Sequence, residues 1–141
     1  MYTITKLLNR LLTERETQYE FLKFSVVGSL SSLAYIIILY ILSHSFGAQF
    51  ALASIPSYLG AMVVNYSLQR FWTFGSIRPH MEALPRYLLT HLIGMFINWL
   101  GILLFYNELN MNFLVAQFIS IALVSAWSYM AQKIWVFQSA A

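Results

Sequence analysis

Residues 24–69 read FSVVGSLSSLAYIIILYILSHSFGAQFALASIPSYLGAMVVNYSLQ, without one Asp, Glu, Lys or Arg. A helix rises 1.5 Å per residue, so about 20 residues cross about 30 Å of hydrocarbon. This window therefore holds two crossings. The break falls at Ser43-His44-Ser45-Phe46-Gly47-Ala48-Gln49, a polar stretch with a glycine suited to ending a helix. Two further windows without charge, 87–107 and 109–132, hold one crossing each.

The remainder of the chain agrees with that reading. Of 141 residues, 60% are hydrophobic and 9% charged, against roughly 25% charged in an ordinary soluble domain. A soluble single-domain enzyme is excluded, because such a chain cannot coat a globule with polar side chains. There is no cysteine, which removes disulfides, thiolate zinc sites and cysteine nucleophiles. The net charge of +3 rests on only eight Lys and Arg, so a nucleic-acid partner is not expected. The fold class is all-α: a polytopic membrane protein with four transmembrane helices at about 24–42, 50–68, 87–106 and 113–131. Pro56 falls within the second span and predicts a kink there. The transmembrane domain covers 21–137, preceded by a cytoplasmic or interfacial segment (1–20) and followed by a short tail (138–141). Within that first segment, Ile4, Leu7, Leu8, Leu11 and Leu12 oppose Lys6, Asn9 and Arg10, the pattern of a short helix lying in the membrane interface.

Orientation follows from the cations. Lys6, Arg10, Arg15 and Lys23 precede span one, Arg70, Arg78 and Arg86 lie between spans two and three, and Lys133 follows span four. All eight fall on one side. The positive-inside rule makes that side, and both termini, cytoplasmic.

The two halves repeat. Residues 21–28 align with 87–94 at an offset of 66, and 65–74 with 128–137 at an offset of 63, which predicts an outer loop three residues shorter in the second half. Each half is then a two-span hairpin, and two hairpins of the same topology form a parallel repeat. Polar or small residues stripe each span: Ser25, Gly28, Ser32 and Tyr35; Tyr58, Met62, Asn65 and Gln69; His91, Gly94, Asn98 and Gly101; Ile121, Ser125, Ser128 and Gln132. Such stripes line a polar path or serve as helix-packing seams.

The most specific repeated feature is Gln-Arg-Phe-Trp-Thr-Phe (69–74) and Gln-Lys-Ile-Trp-Val-Phe (132–137). Each ends a helix with an amide, a cation and a Trp. A cation there binds phosphate, the amide hydrogen-bonds phosphate or sugar hydroxyls, and Trp anchors at the interface. The positive-inside rule explains the cations equally well without any ligand. No Asp or Glu lies in a span, so a carboxylate proton relay of the multidrug-exporter kind is not expected. His91 alone titrates near neutral pH within the spans.

A four-span chain with repeated Asn-aromatic-x-x-x-Arg/Lys-x-Trp-x-Phe endings, and Phe-x-x-Val-Gly opening span one, resembles the GtrA-like family from about Glu20 to Phe137. Asn65, Arg70, Trp72 and Phe74 match the first-half motif. Ser128 stands in place of Asn and Lys133 in place of Arg, departures that weigh against two symmetric sites. The resemblance implies translocation of a polyprenyl-phosphate-linked sugar, typically undecaprenyl-phosphate glucose, across the bacterial inner membrane for modification of surface polymers. It also implies a membrane glycosyltransferase that loads the lipid. The expected substrate-binding residues are Lys23, Asn65, Gln69, Arg70, Trp72, Arg86, His91, Asn98, Ser128, Gln132, Lys133 and Trp135. No metal, cofactor or catalytic set is expected, because no cluster of acid, base and nucleophile is visible. The alternative reading is a non-transporting subunit that binds and positions the glycosyltransferase. Four short helices enclose little volume, so a homo-oligomer is expected, with Gly28/Ser32, Ser57/Ala61 and Ala122/Ala126 as packing seams.

Overall fold

The computed structural model describes residues 4–6, 9 and 15–138. Four long helices carry the chain: α1 (Arg15–Tyr40), α2 (Phe50–Leu68), α3 (His80–Ile102) and α4 (Phe113–Ala131). Each runs directly into a π-helical turn, at Ile41–Ser45, Gln69–Thr73, Leu103–Glu108 and Gln132–Val136. No strand occurs among the described residues. The interfacial helix expected at 4–12 falls largely outside them.

Three stretches are long and apolar enough to cross a bilayer: Glu16–Ser45, His80–Glu108 and Phe113–Val136. The protein is therefore an all-helical, multi-pass membrane protein. Helix α2 is not among the three, because Ser54, Ser57, Asn65 and Ser67 dilute its apolar run. It runs through Pro56 unbroken. Helices α2 and α4 occupy the stretches 50–68 and 113–131. Helices α1 and α3 begin earlier than their apolar windows, at Arg15 and His80. Hydrocarbon limits where charge can sit, whereas backbone hydrogen bonding continues into the polar zone.

The chain forms two compact units, Met1–Gly75 and Ser76–Ala141. The first is an antiparallel hairpin of α1 and α2. Its interface is built from small residues, with Ala53, Ser57 and Ala61 of α2 and Val27 and Ser31 of α1 all buried. Ser31 Oγ donates to the Val27 carbonyl at 2.7 Å, and Ser57 Oγ to the Ala53 carbonyl at 2.6 Å. These hydroxyls are satisfied within their own helices, so they pack as small residues and need no partner across the interface. Ser25, Ser29 and Ser32 make the same internal bonds but are exposed. The expected Gly28/Ser32 seam is thus outside the hairpin interface, as are the exposed Ala122 and Ala126 of α4. Of the three expected seams, Ser57/Ala61 alone lies buried.

The second unit likewise pairs α3 with α4 through small residues, but here the buried Ser120 Oγ has no partner. Ala116 and Ser120 of α4 are buried, as are Gly94 and Gly101 of α3, with Gly101 facing Ser120 and Gly94 facing Val124. The closest approach is at Gly101, where an added Cβ would stand 3.0 Å from Ser120 Cβ and 3.5 Å from its Cα. At Gly94 an added Cβ would meet Val124 at 3.3 Å.

The internal repeat is more regular than the aligned letters suggest. After the first π turn, Ala48 N donates to Leu42 O at 3.1 Å; after the third, Met111 N donates to Phe105 O at 3.0 Å. Each of these links turns on one left-handed residue, Gly47 (φ 68°) and Asn110 (φ 51°). Helix starts at Phe50 and Phe113, helix ends at Leu68 and Ala131, and the closing bonds from Phe74 N to Gln69 O and from Phe137 N to Gln132 O keep the same spacing. Every pair lies 63 positions apart. The offset of 66 assigned to the first helices, and the shorter outer loop it implied, are therefore corrected. That alignment matched Gly28 to Gly94, but the two glycines do different things. Gly28 has open space where a side chain would go, while Gly94 lies against Val124 and Trp127.

Replacing Gly101 by Ala should push α3 from α4 and lower stability by about 1–3 kcal/mol, the usual cost of overpacking. Gly28→Ala has room and should be neutral or slightly stabilising. Thermal melts of both variants in detergent, followed by tryptophan fluorescence, check the contrast.

Candidate functional site

The even-numbered helices end in the repeated motif, and the structure closes each motif onto the start of the preceding helix. In the first unit, Gln69 is fully buried and its Nε2 donates to the Phe24 carbonyl at 3.2 Å. Phe24 packs edge-on against Phe74, with centroids 6.5 Å apart. Beside them, Lys23 Nζ stands 5.7 Å from the centre of the Trp72 ring. An ammonium over an indole face is attracted by about 0.5–1 kcal/mol at exposed sites. Lys23, Gln69 and Trp72 are thus brought together by one local clasp.

The second unit repeats the clasp in the corrected register. Arg86 takes the place of Lys23, Tyr87 that of Phe24, and Trp135 and Phe137 those of Trp72 and Phe74. The Arg86 guanidinium carbon lies 5.6 Å from the Trp135 ring centre, and Nη1 donates to the Trp135 carbonyl at 3.1 Å. Tyr87 packs against Phe137 at 6.3 Å. Arg78 adds a second tie: Nε and Nη2 donate to the Gln138 carbonyl at 3.0 and 2.6 Å, and Nη1 reaches Glu82 at 3.3 Å. The last carbonyls of a helix have no partner within the helix, so these arginines cap the C-terminal end of the second hairpin. Lys133 Nζ donates to the Tyr129 hydroxyl at 3.4 Å.

The cation of the first motif is placed differently. Arg70 is 6% exposed, and two of its nitrogens, Nε and Nη1, are buried with no hydrogen-bond partner. Thr73 Oγ1 and Gln69 Oε1, on the same π turn, are also buried and unsatisfied. Nature rarely leaves such groups bare. A buried charge without a partner costs several kcal/mol, and each buried unsatisfied polar group roughly 1–3 kcal/mol more. Phe71, 5.7 Å away, gives the guanidinium an aromatic face but accepts no N–H bond from the two nitrogens. The turn therefore presents N–H and hydroxyl donors together with an amide acceptor.

The remaining expected residues lie deeper along the helices. Asn65 is half-buried one turn before Gln69, and Ser128 is buried one turn before Gln132. His91 is half-buried on α3, its ring 4.4 Å from that of Tyr87 in an edge-on contact, and its Nε2 has no partner. Asn98 accepts from Gln117 Nε2 at 3.4 Å. It stands about 18 Å along α3 from Arg86 at 1.5 Å per residue, so it takes no part in the clasp. Gln132 is buried, with Oε1 unsatisfied. Sequence reasoning did not select Thr73, Arg78 or the aromatic pair at Phe24 and Tyr87. The offset of 63 already sets Thr73 against Val136, whose side chain cannot hydrogen-bond, but the difference gains meaning only with the burial of the Thr73 side chain.

No group of three or more metal-ligating side chains occurs among the described residues. At the opposite end of the second unit, Tyr106, Asn107, Asn110 and Met111 line an open cleft of about 390 Å³ without a cation.

Arg86→Gln removes the bond to the Trp135 carbonyl and the ring contact, and should cost about 1 kcal/mol. Trp135 emission should shift as its ring loses the cation. A fluorescence spectrum together with a melt tests this, and an unchanged spectrum would show that the clasp does not hold the indole.

Residues 23–137 match the family described as GtrA/DPMS, transmembrane domain. The matched range opens on Lys23 and closes on Phe137, the outermost residues of the two clasps. Comparisons with curated proteins and with solved structures found no match.

Proposed function

The chain belongs to the GtrA/DPMS transmembrane-domain family, and on that footing we propose that it moves an undecaprenyl-phosphate-linked monosaccharide across the bacterial inner membrane. The observation that carries this reading is Arg70, a buried cation with unsatisfied donors at the end of a membrane hairpin. A lipid-linked sugar phosphate supplies what that site lacks: a fixed negative charge, several acceptor oxygens and neighbouring hydroxyls. The prenyl tail stays in hydrocarbon while the head crosses. The chain performs no covalent chemistry of its own; it receives the head and lowers the cost of carrying it through the bilayer.

In this reading four helices span. Helix α2 packs along α1, from the bond of Gln69 to the Phe24 carbonyl at one end through the buried Ala61 and Ser57 to the buried Ala53 toward the other. At 1.5 Å per residue it is about 28 Å long before its π turn, close to the hydrocarbon thickness. Both termini and the clasp residues Lys23, Arg70, Arg86 and Lys133 lie on the cytoplasmic side, where the positive-inside rule places cations. The outward-facing seam of Ala122 and Ala126 suits packing against a second copy. A membrane glycosyltransferase, the source of the loaded lipid, is the partner.

The absence of cysteine makes topology directly measurable. Single cysteines at Ser45 and Asn110 should react with an impermeant maleimide from the outside of intact cells. Cysteines at Arg78 and Gln138 should react only after permeabilisation; the reverse pattern would overturn the orientation.

Transport is tested with proteoliposomes carrying a fluorescent short-chain prenyl-phosphate glucose, its outer-leaflet fraction read by an impermeant quencher. The protein should equilibrate the two leaflets faster than empty vesicles do. Arg70→Ala should slow this at least tenfold while inserting normally, since roughly 1.4 kcal/mol corresponds to each factor of ten. Equal rates with and without protein would end this reading and leave the glycosyltransferase-positioning role.

A further inference from the structure

The two halves repeat the same second helix and closing π turn 63 positions apart, and that makes their differences informative. At the three polar positions of the π turn, the first unit has Gln69, Arg70 and Thr73, and the second has Gln132, Lys133 and Val136. Gln69 and Thr73 lie about one turn apart on one face of a π-helix, with Arg70 adjoining. In the first unit all three residues carry buried polar atoms without a partner. In the second only Gln132 does. Val136 has no polar atom to offer, Lys133 is bonded to the Tyr129 hydroxyl, and the arginines Arg86 and Arg78 are bonded to the carbonyls of Trp135 and Gln138.

We propose that each chain holds one phosphate ester, at the Gln69–Arg70–Thr73 turn of the first unit, and that the second unit's matching turn is an anchor that binds none. The inference rests on the translocation reading and sharpens it to a single, asymmetric site. The guanidinium N–H groups and the Thr73 hydroxyl donate to phosphate oxygens. A carboxylate would satisfy the charge as well, but Gln69 Oε1 needs a donor, and a phosphate attached to a hydroxyl-bearing group brings acceptors and a donor together. Charge-assisted bonds to phosphate are about twice as strong as neutral ones, and each one made offsets part of the cost of burying the cation. The aliphatic Val136 leaves the second turn with neither the hydroxyl nor a vacant guanidinium. Substrate therefore engages one hairpin, and the other keeps its cations for its own helix end.

Calorimetry on the full-length protein in nanodiscs, titrated with farnesyl phosphate, reads the stoichiometry directly. One equivalent per chain is expected, and two equivalents with transport intact would overturn the asymmetry while leaving the translocation reading in place. Arg70→Lys keeps the charge and should weaken binding at least tenfold; Thr73→Val, which installs the second unit's residue, should weaken it several-fold. If both variants fold, as judged by an unchanged elution profile, and bind like the parent, the site is elsewhere. Competition separates the sources of the phosphate. Displacement by inorganic phosphate assigns the site to a small anion, and displacement by excess phosphatidylglycerol to headgroups in general. Resistance to both with retained farnesyl phosphate binding assigns it to the prenyl lipid, and each of these results supports the site. Binding of none of the three probes overturns it. Normal binding without transport would instead remove the translocation reading and keep the site.

Discussion

Hydrocarbon solvates neither charge nor an unpaired backbone group, and the organisation of this protein follows from that constraint. The backbone answers it by remaining helical from Arg15 to Ser45 and through each later helix. The serines answer it by bonding to carbonyls of their own helices, Ser31 to Val27 and Ser57 to Ala53. Ser120 of the second hairpin keeps a buried hydroxyl without a partner, and what holds each hairpin is closeness. Ala53, Ser57 and Ala61 in one hairpin, and Gly94, Gly101 and Ser120 in the other, let helices approach until their dispersion contacts add up. Charge is kept out of the long apolar runs, so a buried arginine with two nitrogens lacking hydrogen-bond partners is conspicuous.

Each hairpin closes through its terminal motif. A buried glutamine begins a π turn, an aromatic residue returns to pack on the start of the preceding helix, and a tryptophan lies under a cation. This closure links the apolar body to the polar rim. It holds Trp72 and Trp135 beside Lys23 and Arg86, and it sets the direction in which Gln69 points its amide. The same closure produces opposite outcomes for charge. In the second hairpin, arginine donors meet carbonyls; in the first, Arg70 is left with donors to give.

Much of the fold was legible in the sequence because hydrophobicity and helix length report on the same bilayer. Helices at 50–68 and 113–131 were readable to the residue, and the division into two halves was readable in kind, though not its boundary at Gly75. Helix α1 was legible in kind but not in extent, because apolar runs mark the hydrocarbon and not the end of the helix. The register of the repeat was misread from Gly28 and Gly94, letters that match although one faces open space and the other a packed helix. Of the candidate site, Arg70 and Gln69 were visible as a repeated motif at a helix end. Thr73 was not, since a threonine beside a tryptophan carries no signal until its burial is known.

Composition and charge placement by themselves determined that this chain is an apolar helical protein whose cations fall outside its long charge-free windows. Those properties are additive over residues and need no knowledge of contacts. Only the tertiary structure decided which cations are already bonded. Arg86 and Arg78 find carbonyls because helix α4 ends within their reach, whereas Arg70 is enclosed with two nitrogens unsatisfied. Hydrogen bonding depends on distances of a few tenths of an ångström between residues dozens of positions apart, and no linear pattern encodes them.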